Sequence, residues 1–71
     1  PKIGNNVFIG TNAIVVGKIN VGDDVVIAPG SYVNYDVPSH SIIIGNPGKI
    51  IARENASLDQ ISNIYREEIN A

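Results

Sequence analysis

The stretch from Ile3 to Pro38 reads I-G-N-N-V-F, I-G-T-N-A-I, V-V-G-K-I-N, V-G-D-D-V-V, I-A-P-G-S-Y and V-N-Y-D-V-P, six hexads in one register. The first position is always branched and aliphatic: Ile3, Ile9, Val15, Val21, Ile27 and Val33. The fifth is small or aliphatic: Val7, Ala13, Ile19, Val25, Ser31 and Val37. Turn formers such as Asn5-Asn6, Asp23-Asp24 and Pro29-Gly30 stand between them. A fixed short period marks a repeat architecture, and a hexapeptide period marks a parallel β-helix.

The fifth residue of one hexad and the first of the next are two apart, so both point to one face of a strand. These two columns should form the interior, with Ile9, Val21 and Ile27 nearly fully buried. The residue between them points outward: Phe8, Ile14, Asn20, Val26 and Tyr32. Asn6, Asn12, Asp24, Gly30 and Asp36 share one corner position, where a left-handed residue is expected. Lys18 is the misfit, relieved by Gly17 before it. Corners of one sense wrap the chain into a prism whose coils pair as parallel strands about 4.8 Å apart. An antiparallel sandwich fits less well, because its strands usually run about 5–6 residues with loops of variable length.

Composition bounds the rest. A chain of 71 residues holds one domain at most, and a core below ~70–80 residues is marginal without disulfides, metal or partners. There is no cysteine, hence no disulfide framework and no thiolate metal site. That is compatible with the cytosol, and a cytoplasmic protein is the expectation. The net charge of −2 and five scattered cations give no basic patch for nucleic acid or an anionic membrane. No apolar run approaches the ~20 residues of a transmembrane helix. The chain opens at Pro1 inside the repeat pattern and lacks Met, so further coils are expected before it, since solenoids need about three or more stacked units.

After Pro38 the pattern changes. Ser39-His40 reads as a loop, Ser41–Ile44 as a strand, Gly45-Asn46-Pro47-Gly48 as a tight turn and Lys49-Ile50-Ile51 as an extended segment. From Asn55 the period becomes helical. Ser57 and Gln60 form a capping box, and Leu58, Ile61, Ile64, Tyr65 and Ile69 give one apolar stripe. The expected organisation is a β-helix over 1–51 and a linker with an amphipathic C-terminal helix over 52–71.

Three segments, P-K-I-G-N-N-V-F-I-G-T-N-A, V-G-D-D-V-V-I-A-P-G-S-Y-V and D-V-P-S-H-S-I-I-I-G-N-P-G-K-I-I, resemble the hexapeptide-repeat acyltransferases. The likeness is nearest to bacterial serine O-acetyltransferases, with sugar O-acetyltransferases of the maltose and galactoside type next. It covers Pro1 to about Ile51. His40 within V-P-S-H-S leans toward the serine type, since many sugar enzymes place Asn there. The resemblance implies an all-β fold built as a left-handed β-helix, a homotrimer, and acetyl-CoA lying between two prisms. Left-handed crossovers run against the usual rule for parallel strands, so the handedness rests on the likeness alone.

The same likeness implies the site. Thr11 follows I-G and offers its backbone to the pantetheine arm of acetyl-CoA, and Ala28 and Pro29 hold the equivalent place one coil on. Eighteen residues separate Thr11 from Pro29, which stacks them on one edge of the prism. Pro29 has no N–H and can only accept. Asn34-Tyr35 replaces the Thr-Lys common in the sugar enzymes, and Tyr35 is a candidate to stack on adenine. Lys49 matches the Lys or Arg that meets the CoA phosphates. The family's general base is a His that stands, in serine acetyltransferases, just before a Pro-Lys-Ile segment. This chain begins at such a Pro, so its catalytic bases are expected upstream, and no catalytic residue is assigned within it. His40 is read as a surface loop residue. A hexapeptide-type metal site needs three His ligands, and this segment holds one. Ser39 or Ser41 with His40 and Asp36 is a poor triad, because sequence neighbours rarely take triad geometry. The alternative to an enzyme is a non-catalytic β-helix, but the outward residues show no flat Thr array of the ice-binding kind and suggest subunit contacts instead.

Overall fold

The computed structural model describes residues 1–56. Eight strands stand among them: β1 (Lys2–Ile3), β2 (Val7–Ile9), β3 (Ile14–Val15), β4 (Asn20–Val21), β5 (Val25–Ile27), β6 (Tyr32–Val33), β7 (Ser41–Ile44) and β8 (Lys49–Ala52). The expected amphipathic helix and its apolar stripe fall on residues 57–71, outside the described residues.

The strands form three flat faces. β1 pairs with β4, β2 with β5 and then β7, and β3 with β6, all in parallel. Val21 also bridges Val37 in parallel on the first face. This is the parallel β-helix that the six-residue period predicts, and it excludes the sandwich. Only β8 runs antiparallel, folding back on β7 through the Gly45–Gly48 turn, which contains a cis Asn46–Pro47 bond.

Register locates a fault in the repeat. From the first coil to the second each residue stacks eighteen positions on, as in Ile9↔Ile27 and Ile14↔Tyr32. From the second to the third the step is sixteen, as in Ile27↔Ile43 and Val21↔Val37. The hexad that starts at Val33 is therefore short by two residues. Val37 is not a fifth-position residue: it stacks on Val21 and takes the first position. V-P-S-H-S-I is then a complete further hexad, followed by Ile43. The repeat does not stop at Pro38, and Ser39-His40 is a prism corner.

Backbone angles confirm that assignment. Asn6, Asn12, Asp24 and Gly30 have φ of 58, 60, 56 and 74°, and His40 takes the same fourth position of its hexad at 59°. Gly17 at 96° takes the left-handed residue where Lys18 would have had to. Asp36, expected at this corner, lies instead beside Asn20 and accepts its N–H at 2.8 Å. The Gly10–Ala13 and Ala28–Ser31 corners are β-turns, each closed by a 3.2 Å bond from the fourth N–H to the first carbonyl. Their left-handed third residue is that of a type II turn.

The core is the two inward columns of the later coils. Val21, Val25, Ile27, Val33, Val37 and Ile43 are buried. Ser31 and Ser41 replace aliphatic residues there and satisfy their hydroxyls: Gly45 N–H donates to Ser31 Oγ at 3.1 Å, and Ser41 Oγ donates to Pro38 O at 2.8 Å. Ile9 departs from expectation at 45% exposed. It points inward, but among the described residues its coil has a neighbour on one side only, and an inward side chain of a β-helix needs a coil on both. Outward Val26 also departs from expectation: it lies between Phe8 and Ile42 in a cross-strand row and is 1% exposed.

Candidate functional site

Three edges separate the faces. The first edge stacks Asn5-Asn6, Asp23-Asp24 and Ser39-His40, as the register between β2, β5 and β7 requires. The second stacks Thr11-Asn12, Pro29-Gly30 and Gly45-Asn46. Gly30 N–H donates to Thr11 O at 2.9 Å, and Ala28 N–H to Ile43 O at 2.9 Å, which fixes the order of that stack. The third carries Gly17-Lys18 and the shortened Asn34 corner, held by the Val16 N–H to Val33 O bond at 3.0 Å.

Four of the six expected cofactor residues meet on the second edge. Thr11 and Pro29 stack directly. Ala28 is adjacent, and pairing of Lys49 with Ile44 brings Lys49 into the outward row that follows Ala28. Thr11, Pro29 and Lys49 are exposed, and Ala28 is partly so. The amide N–H of Ala28 is spent on Ile43 and its carbonyl accepts from Ser31 N–H at 3.2 Å. Thr11 gives its carbonyl to Gly30. The backbone that the expectation assigned to a ligand is thus partly committed to the coils, and the Thr11 amide and hydroxyl and the Pro29 carbonyl are among the polar groups left open at this edge.

The other two expected residues lie elsewhere. Asn34 is exposed at the third edge. Tyr35 was read at a corner, but the two-residue deletion moves it into the fifth, inward column. It packs against the core, and its hydroxyl donates to the Gly48 carbonyl. A ring held this way is no open platform for adenine.

His40 sits on the first edge. Its Nδ1 lies 2.8 Å from Asp24 Oδ2, with side chains 57% and 14% exposed. The same oxygen accepts the Ala56 N–H at 3.2 Å. The backbone of His40 is also fixed, its N–H bonded to Asp23 O and its carbonyl accepting from Arg53 N–H. This is a prism corner away from the second edge. No group of three or more His, Cys, Asp or Glu able to hold a metal occurs among the described residues. A depression lined by Lys2, Ile3, Gly4, Asn20 and Val21 lies on the first face, not on the second edge. A prism corner is convex and by itself encloses no ligand.

Sequence reading missed why position two is so often Gly. A Cβ on Gly10 would lie 2.5 Å from Pro29 N, and one on Gly22 would lie 2.5 Å from Ser39 N. Coils approach too closely there for any side chain. The recurring I-G and V-G dipeptides were the available signal.

Comparison with known proteins agrees with the repeat fold. The family described as bacterial transferase hexapeptide (six repeats) matches residues 1–34, ending at the shortened hexad. The serine acetyltransferase of Synechococcus elongatus is 40% identical over 63 residues, 89% of this chain and 26% of that protein. The solved serine acetyltransferase of Neisseria gonorrhoeae superposes with a TM-score of 0.73 at 42% identity, covering 84% of this chain and 24% of that one. The maltose O-acetyltransferase of Clostridium difficile 630 gives 0.69 at 44% identity, covering 73% and 28%. The chain thus spans about a quarter of the length of these relatives.

Proposed function

This chain belongs to the hexapeptide-repeat transferase family, with the left-handed β-helix as its fold, and from that premise we propose that it forms coils of an acetyl-CoA-dependent O-acetyltransferase acting on L-serine. The observation that carries the reading is the second edge, where Thr11 and Pro29 stack at one corner and Lys49 stands beside it in the outward row of Ala28 and Ile44. A linear donor with a thioester at one end and phosphates at the other needs polar backbone along a line and a cation at its end. The Thr11 amide and hydroxyl serve the pantetheine arm, Pro29 O accepts, and Lys49 meets the phosphates. Tyr35 is withdrawn from the adenine role because it is turned inward.

In the transfer, the acceptor hydroxyl oxygen forms a bond to the acetyl carbonyl carbon and the C–S bond breaks. The hydroxyl proton passes to a general base, and the CoA thiolate leaves and is protonated. That base is assigned to parts of the protein other than residues 1–56, because His40 stands on a different edge from Thr11 and Pro29. The second wall is another copy of the chain in a closed threefold assembly. Outward Ile14 is 49% exposed and stands ready for such a contact, as do partly buried Phe8 and Tyr32. Sedimentation of the full-length protein should give a trimer at micromolar concentration, and a stable monomer there would contradict the assembly.

A sugar hydroxyl is the second reading, favoured by the likeness to the maltose O-acetyltransferase. Thiol release from acetyl-CoA by the full-length protein decides between them. Release that depends on L-serine is expected. Release with maltose or a galactoside but not serine moves the assignment to the sugar class, and no release with either from folded protein refutes both.

Lys49→Ala in that protein should raise KM for acetyl-CoA about fivefold and leave kcat nearly intact, as for about 1 kcal/mol of uniform binding lost at an exposed ion pair. The difference should shrink as salt rises. Unchanged KM at low salt would make Lys49 a solvated surface charge.

A further inference from the structure

We propose that Tyr35 is a positioning residue: its hydroxyl, bonded to the Gly48 carbonyl, fixes the residue before Lys49 and so holds the Lys49 ammonium at the second edge. The inference rests on the reading that Lys49 meets the acetyl-CoA phosphates. Both polar backbone groups of Gly48 are tied to the second coil. Its N–H donates to Tyr32 O at 3.0 Å, and its carbonyl accepts from Tyr35. A Cβ at this position would lie 2.7 Å from Ile43 Cγ2, 2.8 Å from Tyr32 O and 3.0 Å from the Tyr35 hydroxyl. The glycine is therefore seated against the end of the prism, with no room to shift toward it.

On its other side Lys49 enters the ladder opposite Ile44. Its backbone is thus fixed from both directions, while its side chain stays exposed. The Tyr35 clamp exists because of the two-residue deletion. With a full hexad after Val33, the residue at 35 would face a corner; with four residues, its ring turns into the inward column and reaches the turn before β8. A long Lys side chain pays rotamer entropy to hold one geometry. A fixed Cα lowers that cost, since only the side chain remains to be ordered.

The test is a double-mutant cycle in the full-length protein, with acetyl-CoA as the probe, measured by direct titration and by KM. Tyr35→Phe keeps the ring in the core and removes only the hydroxyl. It should weaken acetyl-CoA binding about threefold with kcat unchanged, somewhat less than deleting Lys49 itself. In the Lys49→Ala background the same change should have no further effect on binding, since the group it positions is gone. A merely structural Tyr35 would lower the thermal midpoint equally in both backgrounds and leave acetyl-CoA affinity untouched; that outcome overturns the inference. A threefold loss that persists without Lys49 also overturns it. If Lys49→Ala alone has no effect on binding, the assignment of Lys49 fails first, and that result is distinct from a sensitive Lys49 with an indifferent Tyr35.

Discussion

Ile27→Ala should lower the unfolding free energy by about 2–5 kcal/mol, read as a shifted denaturant midpoint at constant slope. Ile27 is 0% exposed and stacks between Ile9 and Ile43 in the inward column. Its removal leaves a void between coils whose spacing is set by the backbone ladder, so the prism cannot collapse to fill it. Ile27→Asp should abolish folding, because a lone carboxylate there has neither water nor a partner. Ile44, 49% exposed on β7, is the control, and its replacement by Ala should stay within about 0.5 kcal/mol. Equal losses at Ile27 and Ile44 would contradict the assignment of inward and outward columns.

Gly22→Ala should cost about 1–3 kcal/mol through overpacking. The added methyl would sit 2.5 Å from both the backbone nitrogen and the Oγ of Ser39. Ser39 Oγ accepts the Asp23 N–H at 2.9 Å, so pushing it aside also breaks that bond. Gly30 offers the contrast. A Cβ there meets nothing within 4 Å, but φ is +74°. Gly30→Asn should therefore be tolerated, whereas Gly30→Val should not, since a β-branched residue resists the left-handed region. A thermal midpoint for Gly22→Ala equal to wild type would show that the coils are not in close contact at position two.

The period alone made the parallel β-helix legible, because each of the first five hexads carries the same inward, corner and outward positions. It could not reveal the shortened sixth. V-N-Y-D-V-P fills a six-residue frame with an aliphatic residue in the fifth place, so Val37 fits either register. Only pairing with Val21 separates the two. Tyr35 was misplaced by that same frame, at a corner it does not occupy, and His40, exposed as read, stands at a corner of a repeat that the frame had ended at Pro38. The exposure of Ile9 was not readable from its own hexad, since burial in a stack depends on the coil beyond. For the candidate site, an interval of eighteen residues placed Thr11 and Pro29 together, whereas Lys49 was reached only through the family likeness. What the interval did not carry is which backbone groups the coils had already used, as at Ala28.

The most direct test of the account is a crystal structure of the full-length protein with CoA. CoA should lie along the second edge, its pantetheine arm beside Thr11 and Pro29, its phosphates within reach of Lys49, and a neighbouring prism as the opposite wall. CoA seated on the first edge beside Asp24 and His40, or away from any prism corner, would contradict it.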